Sequence, residues 1–244
     1  KESLSAALSK LGETHKTMGN LNNHIGLPLT LARLPDTAKF AVLEMGMNHT
    51  GEIDVLSRLG RPHIAIITTV EAVHLEFFSS IEGIADAKAE IFDGLVEGGA
   101  VVLSRDNPHY DRLAEKARAA GAKMVWGFGV HSFSNARLLA YEPDAQGARV
   151  EATVGSQHLK YRIAMRGKHW ALNSIAVLAA AHSLGADPEI AAAALASVKP
   201  TKGRGQFFEV RLEDGVLGII DETYNASPVA VRAAFEVLAA SKPG

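Results

Sequence analysis

Apolar and polar positions recur along this chain at two periods, and each change of period marks out an element. Residues 64–70, IAIITTV, form a β-branched apolar run of strand length, of the kind buried inside a parallel sheet. A polar loop with His74 and Glu76 follows just past the strand's carboxyl end, where open α/β sheets place their chemistry. Ile81, Ile84, Ala85, Ile91, Phe92 and Leu95 then recur at helical spacing and predict a helix with one apolar face. Residues 40–46, FAVLEMG, predict a second buried strand, 100–104 a third and 124–128 a fourth. Helices are predicted over 3–11, 29–34, 52–59 and 111–120. Strands alternating with helices at this spacing predict right-handed βαβ units in a doubly wound, mostly parallel sheet.

The pattern changes near residue 136. ARLLAYEP, ARVEATVG and HLKYRIAM alternate or run apolar between glycine-containing turns, predicting a small antiparallel edge sheet over 136–165. A long alanine-rich helix follows over 169–184. A second helix starts after Asp187-Pro188, where Asp caps and Pro takes the first turn. Residues 207–212 and 216–220 predict two strands around the turn 213–215, and Pro228 opens a helix to about residue 240.

Composition narrows the function classes. With 244 residues and 47% hydrophobic positions the chain has enough apolar material for one large α/β domain. A net charge of -2 with no basic run argues against nucleic-acid binding. The absence of cysteine excludes a disulfide framework and a thiolate metal site. No apolar run reaches the roughly 18 residues needed to span a membrane, and the opening residues have no signal-peptide pattern. A soluble, cytoplasmic, monomeric protein is the expectation.

Several polar residues stand where the pattern does not require them. Lys88 falls inside the apolar stripe of its helix, either snorkelling to water or set in a cleft where burial would lower its pKa. Glu44 lies within an apolar strand run, where an acid is expected to be paired, metal-bound or capping the next helix. Glu44 and His74 would end two strands and could face one cleft; a carboxylate and an imidazole can share Mg²⁺ or Mn²⁺. Asn22 and Asn23 belong to a polar loop with more asparagine than one cap needs, so they serve either loop chemistry or a ligand. His169 and Asn173 share a helix face. The basic, glycine-rich 199–205 is either a solvated connector or an anion-binding loop with Arg204 suited to phosphate. Asp221 to Asn225, DETYN, ends a strand with acids at the active edge. No G-x-x-x-x-G-K-S/T, G-x-G-x-x-G or G-x-S-x-G is present.

Six segments, GNLNNHIGLPLTL (19–31), VLEMGMNHTGEI (42–53), VEAVHLEFFSSIEGIADAKAEIF (70–92), GKHWALNSIAVLAA (167–180), KGRGQ (202–206) and DETYNASP (221–228), together resemble the ATP-dependent Mur ligases of peptidoglycan synthesis. They span nearly the whole chain in the family's order. The first and last resemble the branch that adds D-alanyl-D-alanine to UDP-N-acetylmuramoyl-tripeptide more than sibling ligases or the related folylpolyglutamate synthetases. The resemblance implies a P-loop-type central domain and a reaction through an acyl phosphate, using ATP and Mg²⁺ or Mn²⁺. It implies that Glu44 and His74 match a metal-binding pair and that Lys88 matches a carbamoylated lysine acting as a carboxylate-like ligand. His169, Asn173, Arg204, Asp221, Glu222, Tyr224 and Asn225 match the nucleotide side, and Asn22 and Asn23 the substrate side. Glu222 and Ser227 depart from the residues common in the family, which puts fine ribose and phosphate contacts in doubt. The family's P-loop would precede the first helix here. The expectation is therefore a central domain over 1–244, clipped at both ends and inactive alone. A sibling ligase, or a non-catalytic module that binds a nucleotide-linked ligand, is the alternative.

Overall fold

The computed structural model describes residues 1–72, 76–144, 146–224 and 227–239. The chain opens on α1 (Glu2–Leu8) and passes through β1 (Thr14–Lys16) and α2 (Gly26–Ala32) to β2 (Phe40–Val42). It continues through α3 (Glu52–Gly60) to β3 (Ile64–Ile67), then α4 (Ile81–Ala89), which tightens into a 3-10 turn over Glu90–Phe92. β4 (Ala100–Ser104), α5 (Tyr110–Ala119) and β5 (Met124–Gly129) complete the alternating part. Three long strands follow, β6 (Ala136–Asp144), β7 (Gly147–Val154) and β8 (Gln157–Ile163), then α6 (Lys168–Ser183) and α7 (Pro188–Leu195). The described chain ends on β9 (Gln206–Leu212), β10 (Gly215–Asp221) and α8 (Pro228–Ala239).

β3, β4, β5 and β6 pair in parallel, and β6, β7 and β8 antiparallel, in one six-stranded sheet. The meander expected at 136–165 is thus an extension of the parallel sheet, joined through Phe128 opposite Ala136 and Gly129 opposite Arg137. Alternation along β4 shows the double winding. Val102 packs with α6, while Val101 and Leu103 pack with α4 and α5 on the other face. α6 is buried nearly all round, against the sheet, α1 and α7, and its alanines let these elements approach closely.

The expected strand over 40–46 is shorter than its apolar run. Only Phe40–Val42 is strand, and its one partner among the described strands is β1. The ladder stops at Val42 because the Glu44 amide donates to the buried Thr17 hydroxyl (3.0 Å) rather than to a strand. β1 has no apolar run to announce it; Thr14, His15 and Lys16 are extended because β2 pairs with them in parallel. Among the described strands β9 and β10 pair only with each other, as a hairpin.

Candidate active site

The ends of β2 and β3, the first turns of α6, the end of α4 and the 199–205 loop surround one cavity of about 1460 Å³. It brings together Glu44, Lys88, Asn173, Arg204 and Tyr224. His74 and Asn225 lie outside the described residues. Asn22, Asn23, His169, Asp221 and Glu222 are not among the residues that line the cavity.

Glu44 is fixed from three sides. Besides the Thr17 hydroxyl on its amide, its carboxylate accepts from Asn22 Nδ2 (3.0 Å) and lies 3.3 Å from the Lys1 ammonium. Asn22 reaches Glu44 because Gly46 leaves room; a Cβ at position 46 would stand 2.7 Å from Asn22 Nδ2. The Gly46 amide also donates to the Asn22 carbonyl (2.8 Å). Asn23 has the plain loop role: its side chain accepts from the amides of Ile25 (3.1 Å) and Gly26 (2.9 Å) at the start of α2. Glu44 does not cap α3. Glu90 does, accepting from the amides of Gly51 (2.7 Å) and Asp54 (3.2 Å).

Lys88 stands near the end of α4 with its side chain turned into the cavity. Burial pushes its pKa below the ordinary lysine value, against a smaller opposing pull from Glu71. No carboxylate lies within ion-pair distance of its ammonium among the described residues. This is the cleft lysine of the two sequence alternatives. A lysine held toward its neutral form is the form that can add CO₂.

No group of three His, Cys, Asp or Glu side chains that could hold a metal occurs among the described residues. The chemistry of the donors fits a hard cation nonetheless. Glu44 supplies carboxylate oxygen at the cavity wall, and a carbamate on Lys88 would supply more.

The opposite wall is built on α6. The Tyr141 hydroxyl accepts from the Gly167 amide (2.6 Å), fixing the residue before the helix, and Tyr161 bonds Ser174 (2.6 Å) one turn beyond Trp170. His169 is half-buried beside Trp170, their ring centroids 5.2 Å apart, and burial lowers its pKa while Glu236 partly opposes that. Asn173 and Trp170 face the cavity. Asp221 ties the glycine-rich loop to the end of β10: it accepts from the Gly203 amide (3.2 Å) and from the Thr223 hydroxyl (2.6 Å) and amide (3.1 Å). These bonds, Thr223's first, hold its carboxyl below the usual range. Burial instead raises Glu222, with Arg204 opposing. The Arg204 guanidinium lies 4.4 Å over the Tyr224 ring.

Sequence reasoning passed over Trp170 and Lys202, which also line the cavity. Lys202 stood within the basic loop already singled out. Trp170 adjoined His169 but read as one more apolar helix position.

Residues 1–181 match the family model described as the Mur ligase middle domain. The UDP-N-acetylmuramoyl-tripeptide–D-alanyl-D-alanine ligase of Bacillus subtilis is 38% identical over 237 residues, 97% of this chain and 49% of its own length. The enzyme of the same name from Escherichia coli is 36% identical, over 98% of this chain and 52% of its own. Among solved structures, MurF from Acinetobacter baumannii superposes with a TM-score of 0.90 at 31% identity, covering 99% of this chain and 51% of that one. MurF from Thermotoga maritima, described in complex with ADP, gives 0.84 at 28%, covering 98% and 53%. The chain spans about half the length of the curated relatives it matches.

Proposed function

The chain belongs to the Mur ligase family, and on that premise we propose that it is the central, ATP-handling domain of a ligase joining D-alanyl-D-alanine to UDP-N-acetylmuramoyl-tripeptide in peptidoglycan synthesis. The observation that carries this reading is the convergence of Glu44, Lys88, Asn173 and Arg204, from four separate parts of the chain, on one cavity.

In the proposed reaction the terminal phosphoryl group of ATP passes to the tripeptide's free carboxylate, giving ADP and an acyl phosphate. The amino nitrogen of D-alanyl-D-alanine attacks the acyl carbon and loses a proton; the bond from that carbon to the phosphate oxygen breaks, leaving an amide and phosphate. Arg204 is suited to orienting phosphoryl oxygens and offsetting their charge. Asn173 offers one amide donor group and one acceptor to the nucleoside. Glu44, Lys88 as a carbamate and His74 would hold Mg²⁺ or Mn²⁺, which would offset phosphoryl charge. The ligase is proposed to act in the cytoplasm as a monomer. Among the described residues no helix is long and apolar enough to cross a membrane.

Residues 1–244 are proposed to work within a longer polypeptide. The cavity of about 1460 Å³ exceeds the roughly 300–1,000 Å³ of ligand pockets. Residues of β2 and β3 line it, and each of these strands has one side without a strand partner among the described residues. An extended segment seated between those two edges would merge both sheets, and the phosphate-binding loop of the site would come with it.

The test is the full-length protein with Mg·ATP, the UDP-linked tripeptide and D-alanyl-D-alanine. ADP release that requires both acceptor and dipeptide is expected. Release with a different amine in place of the dipeptide would instead identify a sibling ligase. Binding without any turnover would identify a non-catalytic module.

A further inference from the structure

Resting on the metal reading of Glu44 above, we propose that Lys1 is a positioning residue: it ties the Gly19–Asn23 loop to Glu44 and yields when a divalent cation takes that carboxylate, so that cation binding and loop freedom are coupled. Lys1 stands at the head of α1 and lines the cavity, its side chain 11% exposed. Its ammonium lies 3.3 Å from Glu44 Oε2 and donates to the Gly19 carbonyl. The other nearby carboxylate, Glu2, lies farther off at 3.8 Å and is already paired with Lys16. Two lysines and two glutamates thus balance in charge, and Lys1 is the partner left to Glu44.

The loop meets Glu44 twice. Asn22 Nδ2 donates to Oε1 (3.0 Å), and Lys1 bridges Oε2 to Gly19. The two ends of the loop differ in what else holds them. The Gly46 amide donates to the Asn22 carbonyl (2.8 Å), and Asn23 Oδ1 accepts from the amides of Ile25 (3.1 Å) and Gly26 (2.9 Å). For Gly19 and Asn20, the Lys1 bond is the one hydrogen bond among the described residues that leaves the loop. Gly19 adopts a φ of 53°, and a Cβ there would touch nothing, so the glycine serves backbone direction and not packing. A neutral amide can stay on a carboxylate oxygen that also ligates a metal, because each oxygen has two lone pairs. An ammonium cannot stay without cost. A cation on Oε2 at a ligand distance of about 2.1 Å would sit no more than about 5.5 Å from the Lys1 nitrogen, where like charges in a cavity repel. The flexible stem of Lys1 lets the ammonium swing away, and its leaving unties Gly19 and Asn20. By linkage, a ligand that draws the loop off Lys1 strengthens cation binding by the same factor.

The test uses the full-length protein and Mn²⁺ alone, in bicarbonate buffer. Affinity is read by electron paramagnetic resonance, and the loop by hydrogen exchange at the amides of Leu21 and Asn22, which bond within it. In wild type, saturating Mn²⁺ is expected to speed exchange at these two amides severalfold and to leave those of α2 unchanged. Lys1→Met is expected to exchange fast there with or without Mn²⁺. The same variant should bind Mn²⁺ about tenfold more tightly, within the usual span of coupling between two sites. Lys1→Arg, which keeps the charge, is expected to stay near wild type on both readouts. Mn²⁺ that binds wild type and not Glu44→Gln, yet leaves exchange at Leu21 and Asn22 unmoved, overturns the inference alone. So does a Lys1→Met protein with unchanged or weaker Mn²⁺ affinity, which marks the ion pair as structural only. If Lys1→Met does not fold, the wild-type exchange with and without Mn²⁺ decides. Equal Mn²⁺ affinity in wild type and Glu44→Gln overturns the metal reading of Glu44, and this inference with it.

Discussion

At the scale of single residues, Lys88 is where stability and chemistry pull apart. Its pKa is lowered by burial, so folding carries a cost at every pH at which the unfolded lysine is charged. That cost is absent above the ordinary value of 10.5 and grows as pH falls below it. Lys88→Met is therefore expected to raise the urea midpoint of the full-length protein at pH 8 in CO₂-depleted buffer. The advantage should shrink toward pH 10, as equilibrium unfolding at both pH values would show. The same variant should lose ligase activity by about 10²-fold or more, the scale of removing one electrostatic partner of a transition state. Undiminished activity would sink the carbamate role. Glu44 gives a second case. Gly46→Ala places a Cβ on Asn22 and should free the Glu44 carboxylate, lowering activity by about 10–100-fold in the manner of lost supporting contacts. An ATPase assay with both acceptors checks it. Lys88 and Glu44 were legible in the sequence because each breaks an apolar pattern. Trp170 was not, because an aromatic in an apolar helix breaks none. The roles of Asn23 and Asp221 in holding loops depend on which amides happen to lie near, and spacing does not carry that.

At the scale of elements, the strands and helices that follow their own periodicity were legible and those made by neighbours were not. β3, β4 and β5 are rich in β-branched and aromatic residues and largely buried, so sequence and packing agree. β1 is three polar-flanked residues whose extension comes from β2. The meander was legible as strands, but its pairing with β5 was not, since a two-residue parallel contact leaves no periodic trace. That placement lets two of its tyrosines, Tyr141 and Tyr161, hold the first turns of α6 and so the cavity wall that we propose takes the nucleotide. Tyr141→Phe leaves the buried Gly167 amide without its acceptor, at a cost of about 1–3 kcal/mol. The expected result is a lower Tm together with a KM for ATP raised more than kcat is reduced. A lower Tm with both kinetic constants intact would make the bond structural only.

At the scale of the whole molecule, β2 and β3 belong to separate sheets among the described residues. β2 is bonded to β1, β3 to β4, and the large cavity lies between them, with α1, α3 and α6 around it. Among the described residues each of the two strands has one side without a strand partner, and such edges pair when a strand is offered. The domain reading places a strand of the longer polypeptide there, hydrogen-bonded to both. Hydrogen exchange measures this directly. In the full-length protein the amides of 40–43 and 64–67 should all exchange at the slow rate of central strands. In residues 1–244 expressed alone, those not bonded to β1 or β4 should exchange orders of magnitude faster, while β4 and β5 stay protected by the α6 core. On the proposed reading ATP should bind residues 1–244 far more weakly than the full-length protein, because the proposed strand and phosphate-binding loop are not part of that piece. Equal protection in both, with equal ATP affinity, would mean that the two edges close without a guest and that the cavity is a ligand site alone.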